Sequence, residues 1–189
     1  MAQTTLEGGP DSVGGFWSAF RPDYFADSVF DIDTDWLRER CVRGLLVDVD
    51  NTLMPRNETI PGTPLREWVS SLRRSNISLL VISNNWSSRV KTIARELDLE
   101  VIAPAGKPFG PAYSKGLDLL DLPASETAIV GDQVFTDILG GNRAGLASVL
   151  VPPLGTVDLV HTKALRVLER VLLRRLTGQV LRDGRWSEI

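Results

Sequence analysis

The chain has 189 residues, is 43% apolar and carries a formal net charge of −3. That is enough for one well-filled core and too little for two comfortable domains, and it lacks the broad basic surface with which nucleic-acid binders displace counterions. Cys41 is the only cysteine, which excludes an intrachain disulfide and a thiolate metal site; with no secretion-signal pattern and no apolar run of membrane-spanning length, a cytoplasmic setting is expected.

Residues 1–15 (MAQTTLEGGPDSVGG) are small and polar, and predict a flexible tail ahead of one domain over 16–189. The stretch from Phe16 to Trp36 then concentrates aromatic residues (Phe16, Trp17, Phe20, Tyr24, Phe25, Phe30 and Trp36) that some other element must cover. Beyond it, apolar runs at 44–48, 77–82, 101–103, 127–130 and 146–151 read as strands. Helical patterns fill the gaps: one capped at Thr63 with Pro64 behind it, one starting near Ser87 or Ser88, one over about 111–121 and a short one over about 136–144. This alternation predicts an α/β fold, a single-domain, doubly wound parallel sheet with helices on both faces.

The last helical pattern places Leu165, Leu168, Leu172 and Leu176 on one face and Lys163, Arg166, Arg170 and Arg174 on the other. The leucines are expected to pack on the sheet. The basic face is then either simply solvated or docked, with help from Trp17, Phe20 and Phe25, on anionic lipid. Trp68, Trp86 and Trp186 are expected to pack, Cys41 to be a small buried apolar residue, and His161 to lie at a helix start or on the surface.

Polar residues gather where the strands end. Asp48 and Asp50 follow the first strand, Ser83, Asn84 and Asn85 the second, Lys107 the third, and Asp132 and Asp137 the fourth. In open parallel sheets ligands bind beyond the carboxyl ends of the strands, so these residues predict one site. Carboxylates at the end of a buried strand are costly unless a cation or a reacting group offsets them. Phosphoryl transfer with a magnesium ion suits the set. Asp48, Asp132 and a carbonyl near Asp50 offer hard oxygen ligands, and Asp48 is the natural nucleophile. Lys107 and Ser83 would orient phosphoryl oxygens, and Asp50 would protonate the leaving oxygen. A calcium loop starting at Asp48 is excluded because Leu53 stands where glycine is required and Thr59 where glutamate is.

The segments DVDNTL, VISN, GKP and GDQVFTD, in that order, resemble the four motifs of the haloacid dehalogenase (HAD) superfamily of aspartate-nucleophile phosphatases. The resemblance implies a HAD-like Rossmannoid fold and Mg2+ as cofactor. It also implies Asp48 as nucleophile, Asp50 as general acid and base, Ser83 and Asn84 with Lys107 at the substrate phosphate, Asp48, Asp50 and Asp132 at the metal, and Asp137 in support. RPDYFADSVFDID, LLVDVDNTLMP, VISNNWSSRV, GDQVFTDILGGNRAG and HTKALRVLER further resemble the YqeG-type, subclass IIIA phosphatases. That branch includes phosphatidylglycerophosphate phosphatases, so a membrane phospholipid is the implied substrate and peripheral contact with an anionic membrane the implied setting. A phosphatase of soluble metabolites or phosphoproteins, and a catalytically silent binding protein, remain the alternatives. Two positions depart from that branch and bear on substrate preference: the basic Met54-Pro55-Arg56-Asn57 after the first motif, and Gly106 before the lysine. The intervals of 35, 24 and 25 residues from Asp48 to Ser83, Lys107 and Asp132 in turn each hold one helix and one strand. They leave no room for a separate cap domain and predict an open site.

Overall fold

The apolar runs read from the sequence all become strands of one sheet. The computed structural model describes residues 16–155, 160–182 and 185–188. Its strands β1 (Tyr24–Phe25), β2 (Gly44–Val47), β3 (Ser78–Ile82), β4 (Glu100–Ile102), β5 (Thr127–Gly131) and β6 (Ala147–Leu150) lie in the order β1-β6-β5-β2-β3-β4. All pairings are parallel. The central β2 and β5 are buried along their whole length, which is why they read as continuous apolar runs with no alternation.

Strand alternation assigns the two faces. Leu45 and Val47 pack with Trp36 and Leu37 of α1 (Thr34–Glu39), Trp68 and Leu72 of α2 (Thr63–Arg74), and Val90 and Ile93 of α3 (Ser88–Glu96). Leu46 and Ile129 point the other way, toward Ala112 and Tyr113 of α4 (Gly110–Leu120). On that second side a π-turn, Val134–Ile138, runs into α5 (Leu139–Arg143). There Ile138, Leu139 and Leu150 join Phe20, Phe25 and Leu173 of α6 (Val160–Thr177) in a further cluster. The doubly wound sheet with helices on both faces is therefore as expected, and the chain leaves the β2/β5 centre in opposite directions, to β3 on one side and to β6 on the other.

The aromatic segment is covered in a way that its sequence does not reveal. Tyr24 and Phe25 add a sixth strand to the edge beside β6. Trp36 is buried edge-on against Tyr24, with the Arg40 guanidinium 4.3 Å from its ring centroid. An antiparallel hairpin, β7 (Gln179–Arg182) and β8 (Arg185–Glu188), places Trp186 4.8 Å from Phe25, and the Trp186 amide donates to the Asp27 carboxylate at 2.9 Å.

Four expectations are corrected. Gly62, not Thr63, caps α2, and Thr63 is the first helical residue. Cys41 is exposed, because it closes the turn after α1 at φ 55°. Trp86 is exposed as well, whereas Trp68 is buried with its Nε1 donating to the Ile32 carbonyl at 2.9 Å. Helix α6 is rotated from its expected setting: Leu168 is exposed with Val167 and Val171, and the packed face carries Glu169, Leu172, Leu173 and Leu176. The buried Glu169 carboxylate accepts the Phe135 amide at 3.1 Å, so the packed face includes an acidic residue with a partner, which the leucine pattern alone does not reveal. The tail at 1–15 and the side chains of His161, Lys163, Leu165 and Arg166 lie outside the described residues.

The GGNR tetrapeptide of α5 is explained by close approach. A Cβ on Gly140 would strike the Tyr113 ring, and one on Gly141 would strike the Ile129 side chain in β5. Asn142 donates from Nδ2 to the carbonyls of Ala19 and Arg21, 2.9 Å each, and so ties down the aromatic segment. Gly141→Ala is expected to destabilise the protein by about 1–3 kcal/mol through overpacking, although alanine is the better helix former. The midpoint of urea unfolding measures this, and an unchanged midpoint would contradict the packing account.

Candidate active site

Each expected residue reaches the site from the loop after its strand. The Asp48 amide donates to the Val130 carbonyl at 3.0 Å, which seats Asp48 at the β2/β5 junction. Asn51 then takes a left-handed conformation, φ 64°, which asparagine tolerates, and its amide donates to the Met54 carbonyl at 2.8 Å. This tight turn follows both early aspartates. Gly106, at φ 67°, turns the chain before Lys107 and so accounts for a glycine where a basic residue was expected.

The Lys107 ammonium is buried and all three of its protons have acceptors. Nζ donates to Asp48 Oδ1 at 2.8 Å, to Asp137 Oδ1 at 2.6 Å and to the Ile82 carbonyl at 3.0 Å. Asp137 is held in turn by the Gln133 amide, 3.1 Å from its Oδ2. Asp132 is joined to the early motif by Thr52, whose hydroxyl donates to Asp132 Oδ1 at 3.3 Å. The Ser83 hydroxyl accepts the Asn85 amide at 3.2 Å. Asp48, Asp50, Ser83, Lys107, Asp132 and Asp137 are all buried, and the structure brings them together at the edge of the sheet where the strand order reverses.

The Asn84 side chain holds the backbone of Lys107. Its Nδ2 donates to the Lys107 carbonyl at 3.0 Å and its Oδ1 accepts the Lys107 amide at 2.7 Å. Both ends of this amide clamp the lysine backbone, so the Asn84 side chain positions Lys107, and a phosphate contact from this residue would fall to its main-chain amide. Asp50 has three neighbours to which the sequence pattern assigns no role, although it places one of them, Asn85, at this site. Arg89 Nη1 donates to its Oδ1, Asn85 Nδ2 to its Oδ2 at 2.8 Å, and Arg56 Nη2 lies 3.4 Å from Oδ2. The basic character of Arg56 is visible in sequence. Arg89, in the first turn of α3, gives no signal until α3 is docked.

Electrostatics follow from this packing. Burial pushes Asp48 up to about 6; the Lys107 charge and hydrogen bond oppose this, while Asp137 and Asp50 add to it. Burial pulls the Lys107 ammonium down, but Asp137 and Asp48 outweigh it and hold the group well above its ordinary range. Burial raises the Tyr113 phenol, with Asp137 adding.

Asp48 and Asp137 share one buried cation, Lys107, an excess of one negative charge, and Asp132 is joined to the early motif through Thr52. That excess and an all-oxygen donor set fit a divalent hard cation. Among the described residues no three His, Cys, Asp or Glu side chains form a cation cage. The expected set needs only two, Asp48 and Asp132, plus the Asp50 main-chain carbonyl, since the Asp50 side chain is engaged elsewhere; sparse sets of this kind are what magnesium uses.

A doubly wound sheet whose switch point joins aspartates, a lysine and a serine from four strand ends defines the class of HAD-like hydrolases. A family model described as "HAD-hyrolase-like" matches residues 104–153. The chain is 35% identical over 157 residues to "Probable phosphatase YqeG" of Bacillus subtilis (strain 168), covering 83% of this chain and 91% of that protein. It therefore belongs to the YqeG-type HAD phosphatases. It is also 30% identical over 155 residues to "Phosphatidylglycerophosphate phosphatase 1, chloroplastic/mitochondrial" of Arabidopsis thaliana, covering 76% of this chain and 44% of that protein. Its fold is similar to the cobalt-bound deoxy-D-mannose-octulosonate 8-phosphate phosphatase of Haemophilus influenzae, with TM-score 0.50 and 12% identity over 74% of this chain and 91% of that one.

A raised Asp48 pKa has a signed consequence for stability. Between the ordinary value of 3.8 and about 6 the folded state binds more protons than the unfolded state, so this group's contribution falls as pH rises through that window. In metal-free protein, Asp48→Asn is expected to flatten the fall in urea midpoint between pH 4 and pH 7. An equal slope in the variant would place the titration elsewhere.

Proposed function

We propose that the protein hydrolyses phosphomonoesters through an aspartyl-phosphate on Asp48, with Mg2+ as cofactor and phosphatidylglycerophosphate as substrate. The observation that carries the reaction is the buried Asp48–Lys107–Asp137 cluster beside Asp132, in which two carboxylates share one ammonium. Mg2+, held by Asp48, Asp132 and the Asp50 carbonyl, would supply charge neutralisation for the phosphoryl oxygens. Lys107 fixes the Asp48 carboxylate by one oxygen and leaves the other to attack phosphorus. The ester P–O bond breaks as the Asp48 O–P bond forms, and Asp50 delivers a proton to the departing alcohol oxygen. Asp50 then takes a proton from the water that attacks the Asp48 ester, releasing phosphate and restoring the carboxylate. Ser83 donates its hydroxyl to a phosphoryl oxygen.

The lipid assignment is supported by the named relative in Arabidopsis and by the rim of the site. Ile60, Trp86 and Phe109 are 74%, 76% and 70% exposed, and Leu154 is also exposed. They lie in the loops after β2, β3, β4 and β6, so all four border the same sheet edge. Trp86 adjoins Asn85, Phe109 lies two residues past Lys107, and the Leu154 amide donates to the Asn51 carbonyl at 2.8 Å. An apolar rim around an open phosphate site suits a substrate presented at a bilayer surface. Among the described residues no helix is long and apolar enough to cross a membrane, so contact would be peripheral. The exposed Val167, Leu168 and Val171 with Arg170, Arg174 and Arg175 on α6 form a second apolar and basic surface of the same kind.

Uncatalysed phosphomonoester hydrolysis is slow enough that accelerations up to about 10²¹ are known, so Asp48→Asn is expected to abolish turnover of para-nitrophenyl phosphate. Asp132→Asn is expected to raise the magnesium concentration needed for half-maximal rate. Full activity of either variant removes the mechanism. Trp86→Ser with Phe109→Ser is expected to lower turnover of phosphatidylglycerophosphate in anionic vesicles by about tenfold or more relative to the same headgroup on a soluble short-chain lipid. Equal loss on both presentations would detach the rim from the membrane, and wild-type preference for soluble phosphomonoesters would remove the lipid assignment.

A further inference from the structure

We infer that Arg56, beside Asp50 at the mouth of the site, forms a second anion subsite that selects phosphomonoesters carrying another anionic group on the alcohol side. The inference rests on the reading of Asp48 and Asp50 as the reacting pair and names the class of substrate they receive.

Asp50 is one carboxylate between two guanidiniums, so this flank of the site has a positive charge in excess. The two arginines are not equivalent. Arg89 is engaged at each of its three nitrogens: Nη1 donates to Asp50, Nη2 to the Pro55 carbonyl at 2.7 Å and Nε to the Glu58 carbonyl at 2.6 Å. Its task is to pin the 55–58 loop to the helix that follows β3. Arg56 is underused. Its guanidinium makes one ion pair, at 3.4 Å, and its Nε is buried with no hydrogen-bond partner. Its side chain is 23% exposed.

The placement of Arg56 is specific. Its amide donates to Asn51 Oδ1 at 3.3 Å, so it hangs from the same left-handed turn that follows Asp50. The loop behind it is closed by Gly155, where a Cβ would lie 2.9 Å from Asn51 Oδ1 and 3.7 Å from Pro55 Cβ. Asp50 addresses the leaving oxygen, so a group past it lies on the alcohol side of the substrate. A guanidinium with spare, preorganised donors and unbalanced charge there matches a phosphate or carboxylate, which it can hold through two parallel hydrogen bonds. Charge thus divides across the site: a negative centre for the cation and the transferred phosphoryl group, and a positive flank for a second anion. A phosphodiester in a lipid headgroup and a second phosphomonoester on a small polyol offer the same chemistry.

Binding separates this inference from the catalytic reading. In the full-length Asp48→Asn protein with magnesium, calorimetry with glycerol 3-phosphate and glycerol 1,3-bisphosphate is expected to show the bisphosphate binding about tenfold or more tightly. Adding Arg56→Gln is expected to erase most of that preference, and Arg56→Lys to retain part of it. Equal affinity for the two ligands, or an unchanged preference in Arg56→Gln, would overturn the subsite. Turnover of short-chain phosphatidylglycerophosphate by the wild type tests the other reading independently. Bisphosphate selectivity without lipid turnover keeps the subsite and removes the lipid. Lipid turnover with no Arg56-dependent selectivity does the reverse.

Discussion

A lysine ammonium buried between two carboxylates is the interaction on which the site depends. Lys107 meets Asp48 and Asp137 from the loops after β4, β2 and β5, so a single charged group joins three strand ends. Isolated, each of these charges would be costly to bury; together they are satisfied, and loss of one partner in such a cluster typically costs about 3–5 kcal/mol. Even so, carboxylates remain in surplus. Burial raises Asp48 despite the lysine.

The rest of the fold serves that convergence. Parallel pairing of β2 with β3 on one side and β5 on the other brings the ends of the motif-bearing strands to one edge. Close approach of α5 to β5 through Gly141, and of Tyr113 to Gly140, draws the second helical layer against the sheet. The Tyr113 hydroxyl donates to the Thr136 carbonyl at 2.8 Å, fixing the turn that carries Asp137. Asn142 and the edge strand β1 then make the aromatic segment part of the same body. Packing far from the site thereby holds Asp137 in position.

Among the described residues no further domain covers this edge, which leaves recognition to what surrounds the crevice. The proposed reading assigns it to two kinds of group: large apolar side chains in four loops, and an arginine beside Asp50 with a buried, unpartnered Nε. Each carries a cost, since an exposed tryptophan forfeits apolar burial and a buried guanidinium nitrogen without a partner forfeits hydration. The proposed substrate, a phosphorylated amphiphile with more than one anion, rests on these two kinds of group.

By itself the amino-acid order determined the strands, because β2 and β5 are buried on both faces and must be apolar throughout. It also gathered Asp48, Asp50, Asp132 and Asp137 at strand ends, where the cost of burying carboxylates calls for cations or donors from other segments. What only the tertiary structure decided are relations between distant segments. Tyr24–Phe25 becomes a strand solely by lying against β6, and two residues carry no periodicity of their own. Asn84 clamps Lys107 and Arg89 reaches Asp50 only after α3 and the loop before α4 are docked. The packed face of α6 includes Glu169, which meets the Phe135 amide in a hydrogen bond across 34 residues. Local patterns encode which face of an element is apolar; which buried polar group finds a partner is a property of the assembled core.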